Sequence, residues 1–253
     1  MKLFHIPLIF FLVFSSVFFN KTFAQEETSI MIRAKAKDAK FIGSSMGGAK
    51  IIVRNALTGE ILDQGITEGS TGNTQKIFST DKQRYEPIST ENSAGFLAKL
   101  KLDKPVLVNI EANAPMNQTG SAITTTTQLW VIPGKDILGD GIILEIPGFV
   151  VDILSPLVHS KISGNLKIKA RIVMMCGCPI TKGGRWDANQ YEVLALIKSQ
   201  GKLIQKINME VKEKPSVFYG ETTLESGNYE MILYAFDPKT GNSGVDKSNF
   251  AVE

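Results

Sequence analysis

Four sulfur atoms fall within five residues of this 253-residue chain, in Met174-Met175-Cys176-Gly177-Cys178, and Pro179 follows directly. The two cysteines are the only ones in the sequence. Thiolates and thioethers are soft donors that select Cu(I) and similar ions, so a Cys-x-Cys pair can hold Cu(I) in a linear or trigonal arrangement. Met174 or Met175 would add a thioether, and the metal-ligating set expected from phase and spacing is Cys176, Cys178 and Met174. Tetrahedral zinc needs further nitrogen, sulfur or carboxylate donors that this segment lacks. Three structural readings stand beside the metal: small buried hydrophobes capping a core, a local disulfide strained by its small ring, and a half-site pairing between chains. Thiol redox chemistry is a fourth alternative.

The element that must position these sulfurs is a strand. Leu166, Ile168, Ala170 and Ile172 alternate with Lys167, Lys169 and Arg171, an inside-outside division with the period of two that strands require. Extending that phase points Met174, Cys176 and Cys178 inward and Met175 and Gly177 the other way. Gly177 lets the backbone bend and Pro179 ends regular pairing, so the cysteines are expected where the strand leaves its sheet. In the connection that follows, Lys182 and Arg185 are the basic residues expected to favour thiolates. Arg185 and Trp186 are also a candidate partner contact, because these residue types dominate binding hot spots. The alternative for Trp186 is a lid folded back over the sandwich.

Period-two segments bounded by Gly, Pro, Asn or Asp fill nearly all of the chain, and no amphipathic helix exceeds a few turns. The expected fold class is all-β, with two antiparallel β-sandwich domains. The first half contains Gly48-Ala49-Lys50-Ile51-Ile52-Val53-Arg54-Asn55, the turn Thr58-Gly59-Glu60, then Ser93-Ala94-Gly95-Phe96 and a strand over 106–112. These residues resemble the carboxypeptidase-regulatory-like and transthyretin-like β-sandwich family, across roughly 30–113. The chain departs from that pattern by a polar stretch between Thr67 and Thr90, with Phe78, Arg84 and Tyr85 as contact residues; it is either a solvated excursion or a partner-binding loop. A Thr-rich strand over 121–132 carries Trp130 near its end. The apolar stretch 141–157 is broken by Pro147-Gly148, where we place the boundary between domains 25–147 and 148–253. Phe149, Val150, Val151, Ile153 and Leu154 are expected to open the second domain or to glue the two together.

The second half resembles immunoglobulin-like sandwiches, most clearly in 227–237 and the closing Asn249-Phe250-Ala251-Val252. A Cys-x-Cys pair on such a domain is similar to the copper-delivery proteins of cytochrome oxidase assembly, whose motif would correspond to Cys176 and Cys178. The aromatic spacing and membrane anchor of that family are missing here.

Lys2, an apolar run from Ile6 to Phe19 and Thr22-Phe23-Ala24 form a secretory leader, residues 1–24, with cleavage expected after Ala24. The leader is too short for a comfortable span, and no later stretch reaches the roughly 18 apolar residues of a spanning helix. Export to a periplasmic or extracellular space without membrane insertion is therefore expected. Cleavage removes Lys2 and Lys21 from 28 basic side chains and none of the 25 acidic ones, so the mature chain carries a net charge near +1. Its charges are interspersed, which gives no footprint for nucleic acid. With His159 as the single histidine after cleavage, a nucleophilic triad has one base available, on a connecting segment. No phosphate loop, zinc-protease helix or calcium loop occurs. The expected function is a non-catalytic binding or accessory module with a protein or surface-polymer partner. The alternative is Cu(I) binding or delivery through Cys-Gly-Cys.

Overall fold

Alternation along the first segment puts Ile30, Ile32, Ala34 and Ala36 on one dry face. In the computed structural model, which describes residues 25–253, it forms β1 (Glu26–Ala36). The chain continues through β2 (Lys50–Asn55), β3 (Ile61–Ile66), a one-turn helix α1 (Thr74–Ile77), β4 (Phe96–Leu102), β5 (Val106–Ala114), β6 (Ile123–Val131) and β7 (Ile137–Ile146). These strands make two sheets, in the orders β4-β1-β7 and β3-β2-β5-β6. Then follow β8 (Phe149–Ser155), β9 (Lys161–Ile162), β10 (Asn165–Met174), β11 (Glu192–Ser199), β12 (Lys202–Asn208), β13 (Glu210–Val211), β14 (Val217–Thr223), β15 (Gly227–Phe236) and β16 (Ser243–Val252). They make a second pair, β13-β14-β10-β8 and β12-β11-β15-β16-β9. The fold is all-β, built of β-sandwiches. The secretory leader lies outside the described residues.

Pairing is antiparallel except at two edges. β7 runs parallel to β1, and β9 parallel to β16. The first exception arises because β6 borders one sheet and β7 the other. The chain turns the corner at Pro133-Gly134 and lands beside β1 in the same direction as that strand. The apolar run 141–157 is not one strand: it breaks at Pro147-Gly148, after which β8 pairs with β10. Phe149, Val150, Val151 and Ile153 are buried, whereas Leu154 is exposed.

One continuous apolar cluster takes in side chains of both sandwiches, with Ala39 and Met46 from the first and Phe149, Met175, Cys176 and Trp186 from the second. The stretch between Thr67 and Thr90 folds onto the first sandwich. Asn73 caps α1 by accepting from the Lys76 N–H at 2.9 Å, and Ile77 joins Phe41 and Ala94 in a small core of their own. The far end is pinned by Asp140, whose carboxylate accepts from the N–H groups of Ile88 and Ser89, each at 2.8 Å. Beneath it the buried Arg33 donates to the carbonyls of Ala94 at 3.0 Å and Gly139 at 3.1 Å.

Candidate functional site

The sulfur cluster is the tip of a hairpin. The Met174 N–H donates to the Cys178 carbonyl at 3.2 Å, and the Gly177 N–H donates to the Met174 carbonyl at 2.7 Å. Gly177 takes φ +78°, the left-handed conformation that closes a three-residue loop with a bulge. This turn ends the period of two at Met174. Met175 is therefore not turned outward as extended phasing implies; it is fully buried, its sulfur 3.8 Å from where a β-carbon on Gly148 would stand.

Cys176 and Cys178 are unbridged thiols, 2 % and 8 % exposed, carried together at the hairpin tip. The Cys178 thiol donates to Cys176, and this donation pulls the Cys176 pKa below that of an ordinary thiol. Burial opposes the shift, while the backbone N–H of Lys40 and its ammonium assist it. Cys178, as the donor, is pushed up by the same bond and by burial. The basic group acting on the pair is Lys40 of the first sandwich, not Lys182 or Arg185.

The hairpin is dry because it docks on the first sandwich. Met46 ends the 3-10 turn Ser44–Met46, held by its own N–H to the Gly43 carbonyl at 3.0 Å and by the Asn117 N–H to its carbonyl at 3.2 Å. Its sulfur lies 2.7 Å from where a β-carbon on Gly177 would stand, so a side chain there would displace it. Met46 is thus a fifth sulfur at the site. Sequence spacing cannot reveal it, since it arrives from another sheet pair.

Trp186 and Arg185 belong to the same seam. The Trp186 ring is 8 % exposed and meets Phe78 edge-on, with centroids 6.1 Å apart. The Arg185 guanidinium lies 4.6 Å from the centre of the same Phe78 ring. Trp186 is thus turned inward, against side chains of the first sandwich. The loop is stiffened by Asp187, which accepts from the N–H groups of Gly183 at 2.9 Å and Asn189 at 3.0 Å.

Elsewhere, the outer face of the β3-β2-β5-β6 sheet stands open. Register sets Trp130 beside Leu107, Gln128 beside Asn109 with Arg54 on the far side of Asn109, and Thr126 beside Glu111 with Ile52 on the far side of Glu111. Alternate residues of β5, namely Val108, Ile110 and Ala112, fill the core, so this row of side chains must point out. Trp130 is 62 % exposed. The Asn113 amide donates to the Thr124 hydroxyl at 2.8 Å across the same face, which shows the two side chains share one side.

No family model matches the chain, and no curated protein matches it. Solved structures resemble it only distantly. Fibronectin(III)-like modules of CbhA from Clostridium thermocellum align over 92 % of this chain and 92 % of theirs, at 16 % identity and TM-score 0.29. The titin I-band fragment I67-I69 aligns over 91 % of this chain and 60 % of its own, at 15 % identity and TM-score 0.23. An engineered protein aligns over 46 % of this chain, at 12 % identity and TM-score 0.30, and this chain spans 22 % of its length. The architecture rests on the strand pairing itself.

Two further places fail on their chemistry. His159 is exposed beside Ser160, but the Ser160 hydroxyl donates to the Leu157 carbonyl at 2.6 Å and so is not presented to the imidazole. A cleft of about 560 Å³ beside the seam is lined by Lys35, Lys37, Lys82 and Lys239, with Asp38 and Glu145 among them. Three of the lysines are already engaged, Lys35 with Glu145 at 3.0 Å, Lys82 with the Ile77 carbonyl at 2.6 Å and Lys239 with Gln190 at 3.2 Å, and the two carboxylates offset the charge of Lys37.

Proposed function

We propose that the protein is an exported, non-catalytic binding module whose contact surface is the outer face of the β3-β2-β5-β6 sheet, and that its partner is a surface polysaccharide. The observation that carries this reading is Trp130, an indole left 62 % exposed on a rigid sheet beside fixed polar side chains. A solvent-facing indole is costly to leave bare and is the residue type richest in binding energy. Around it Gln128, Asn109, Glu111 and Arg54 offer both donors and acceptors in one plane. Sugar hydroxyls need that mixture, and a pyranose ring stacks flat on an indole. A protein interface core would call for several exposed apolar side chains around the indole; its cross-strand neighbour is Leu107, half-buried, and Ile52, farther along the same face, is buried. Export rests on the leader, and N-terminal sequencing of the mature protein should begin at Gln25.

The test uses tryptophan emission. Trp186 is buried, so the red-shifted component reports Trp130. Titration of the mature chain with isolated cell-surface polysaccharide should shift that emission to the blue, and Trp130→Ala should weaken retention on the polymer at least tenfold. Equal retention of wild type and Trp130→Ala, or capture of a protein ligand alone, would overturn the reading.

A second reading, soft-metal handling at Cys176 and Cys178, is favoured by one observation: the two thiols are unbridged, buried and carried together at the tip of one hairpin. It predicts uptake of one Cu(I) per chain under anaerobic conditions, lost in the Cys176→Ser, Cys178→Ser variant.

A further inference from the structure

We propose that Met46 of the first sandwich is the third sulfur ligand of a trigonal Cu(I) site with Cys176 and Cys178, so that the bound ion bridges the two sandwiches; this rests on the soft-metal reading of the cysteine pair. The hairpin turn carries both cysteines at its tip, two residues apart and both buried, which supplies two soft ligands at one place. From the other side the Met46 thioether presses on Gly177, the residue between them. A glycine at that position is what lets the thioether approach so closely. Met175 is the competing thioether, but its sulfur is turned toward Gly148, at the corner between β7 and β8. Met174 is committed to the inward face of β10, 1 % exposed.

The donor set chooses the ion. Among the described residues no group of three or more His, Cys, Asp and Glu side chains is placed to hold a metal, so a hard or borderline ion such as zinc finds no complete shell. Two thiolates and a thioether are the combination that favours Cu(I). Binding releases the two thiol protons and leaves the complex with one net negative charge in a dry seam. Lys40 answers that charge: its ammonium lies close enough to act on both cysteines, and its Nζ is held by the Thr74 hydroxyl at 3.2 Å. An ion held from both sides binds only the docked arrangement of the sandwiches, so it should also stabilise the fold by mass action.

The experiment compares wild type, Met46→Leu, Met175→Leu and the double cysteine variant, each reduced and titrated anaerobically with Cu(I) against a chromophoric chelator, with X-ray absorption on the loaded proteins. Leucine preserves the volume and apolar character of methionine, and metal-free thermal unfolding checks that each variant is folded. Wild type should take up one Cu(I) with three sulfur scatterers. Met46→Leu should still take up one, at least tenfold more weakly and with two scatterers, and Met175→Leu should match wild type. Unchanged affinity and three scatterers in Met46→Leu would overturn the assignment of Met46 while leaving the cysteine reading standing. Unchanged uptake in the double cysteine variant would overturn both.

Discussion

The indole Nε1 of Trp186 donates to the backbone carbonyl of Asp38 at 2.9 Å, tying the second sandwich to the first. The neighbouring carbonyl, that of Lys37, accepts from the Asn242 amide at 3.1 Å. Asn242 in turn accepts from the Gly148 N–H at 2.9 Å, at the corner where the chain passes between sandwiches. Two successive carbonyls at the end of β1 are thus satisfied by side chains of the other sheet pair. Such acceptors are strongly directional, so they fix the angle of docking as well as its strength.

Replacing Trp186 should therefore loosen the docking before it loosens either sandwich. Trp186→Phe keeps most of the apolar contact with Phe78 but leaves the Asp38 carbonyl unpaired, at a cost of about 1–3 kcal/mol. Trp186→Ala also opens a cavity, for about 3–5 kcal/mol in all. In urea, circular dichroism of Trp186→Ala should resolve two transitions where wild type shows one. A single transition at the wild-type midpoint would show that this residue does not couple the sandwiches.

Gly177 is the other single point on which the seam depends. An alanine there must hold φ near +78°, a conformation costing about 1–2 kcal/mol for a side chain with a β-carbon, and must push Met46 aside. Met46 is a flexible side chain and can swing away, so the backbone strain should dominate. Gly177→Ala should lower stability by roughly that amount, and adding Met46→Ala should recover little of it. A full recovery in the double variant would assign the cost to the clash instead.

The strands were legible where one face is dry. Leu166, Ile168, Ala170 and Ile172 declare β10 by alternation, and the same is true of β1 and β5. Phase failed at Met175, because a three-residue loop consumes residues without honouring the alternation of the strand it follows. The signals for that loop, Gly177 followed by Pro179, are present, but they equally mark a strand that simply leaves its sheet. Trp130 lay within a strand that was recognised. Its exposure was hidden because Thr124, Thr126 and Gln128 on one side and Thr125 and Thr127 on the other are all polar, so the segment does not announce which face is core. Met46, Lys40 and the acceptor for Trp186 were out of reach for a different reason. They come to the cysteine hairpin only through docking of two sheet pairs, and nothing local encodes that.

The thiol pair gives a pH test of its own. Cys176 is held below the ordinary thiol range chiefly by the hydrogen bond from Cys178, so Cys178→Ala should move its ionisation upward. A depressed pKa means that Cys176 adds stability above the unfolded thiol value, and that this addition fades as pH falls through its folded value. The raised pKa of Cys178 acts in the opposite sense, adding stability below the unfolded value, near 8.5, that is lost above it. Thiolate absorbance at 240 nm, followed in wild type and Cys178→Ala, checks the assignment. Ionisation at the same pH in both proteins would show that Cys178 is not the donor.

Asp38 carries a strain that a single amide should relieve. It sits at φ +56°, where Asn is better tolerated than most residues, and its carboxyl pKa is raised, first by burial and then by Asp237, with Glu145 adding a smaller push. Lys35 and Arg185 pull the other way without cancelling it. A raised folded pKa means that the native state holds the proton more tightly than the unfolded chain, so the ionised form at neutral pH works against folding. Asp38→Asn should therefore stabilise the protein near pH 7, by about 0.5 kcal/mol given how solvent screens a surface group. As pH falls through the raised folded value toward that of a free aspartate, about 3.9, wild type recovers the deficit by protonation and the two stabilities should converge. Urea midpoints measured from pH 7 down to pH 4 would follow this. A gap that stayed constant across the range would assign the gain to the backbone conformation rather than to the charge facing Asp237.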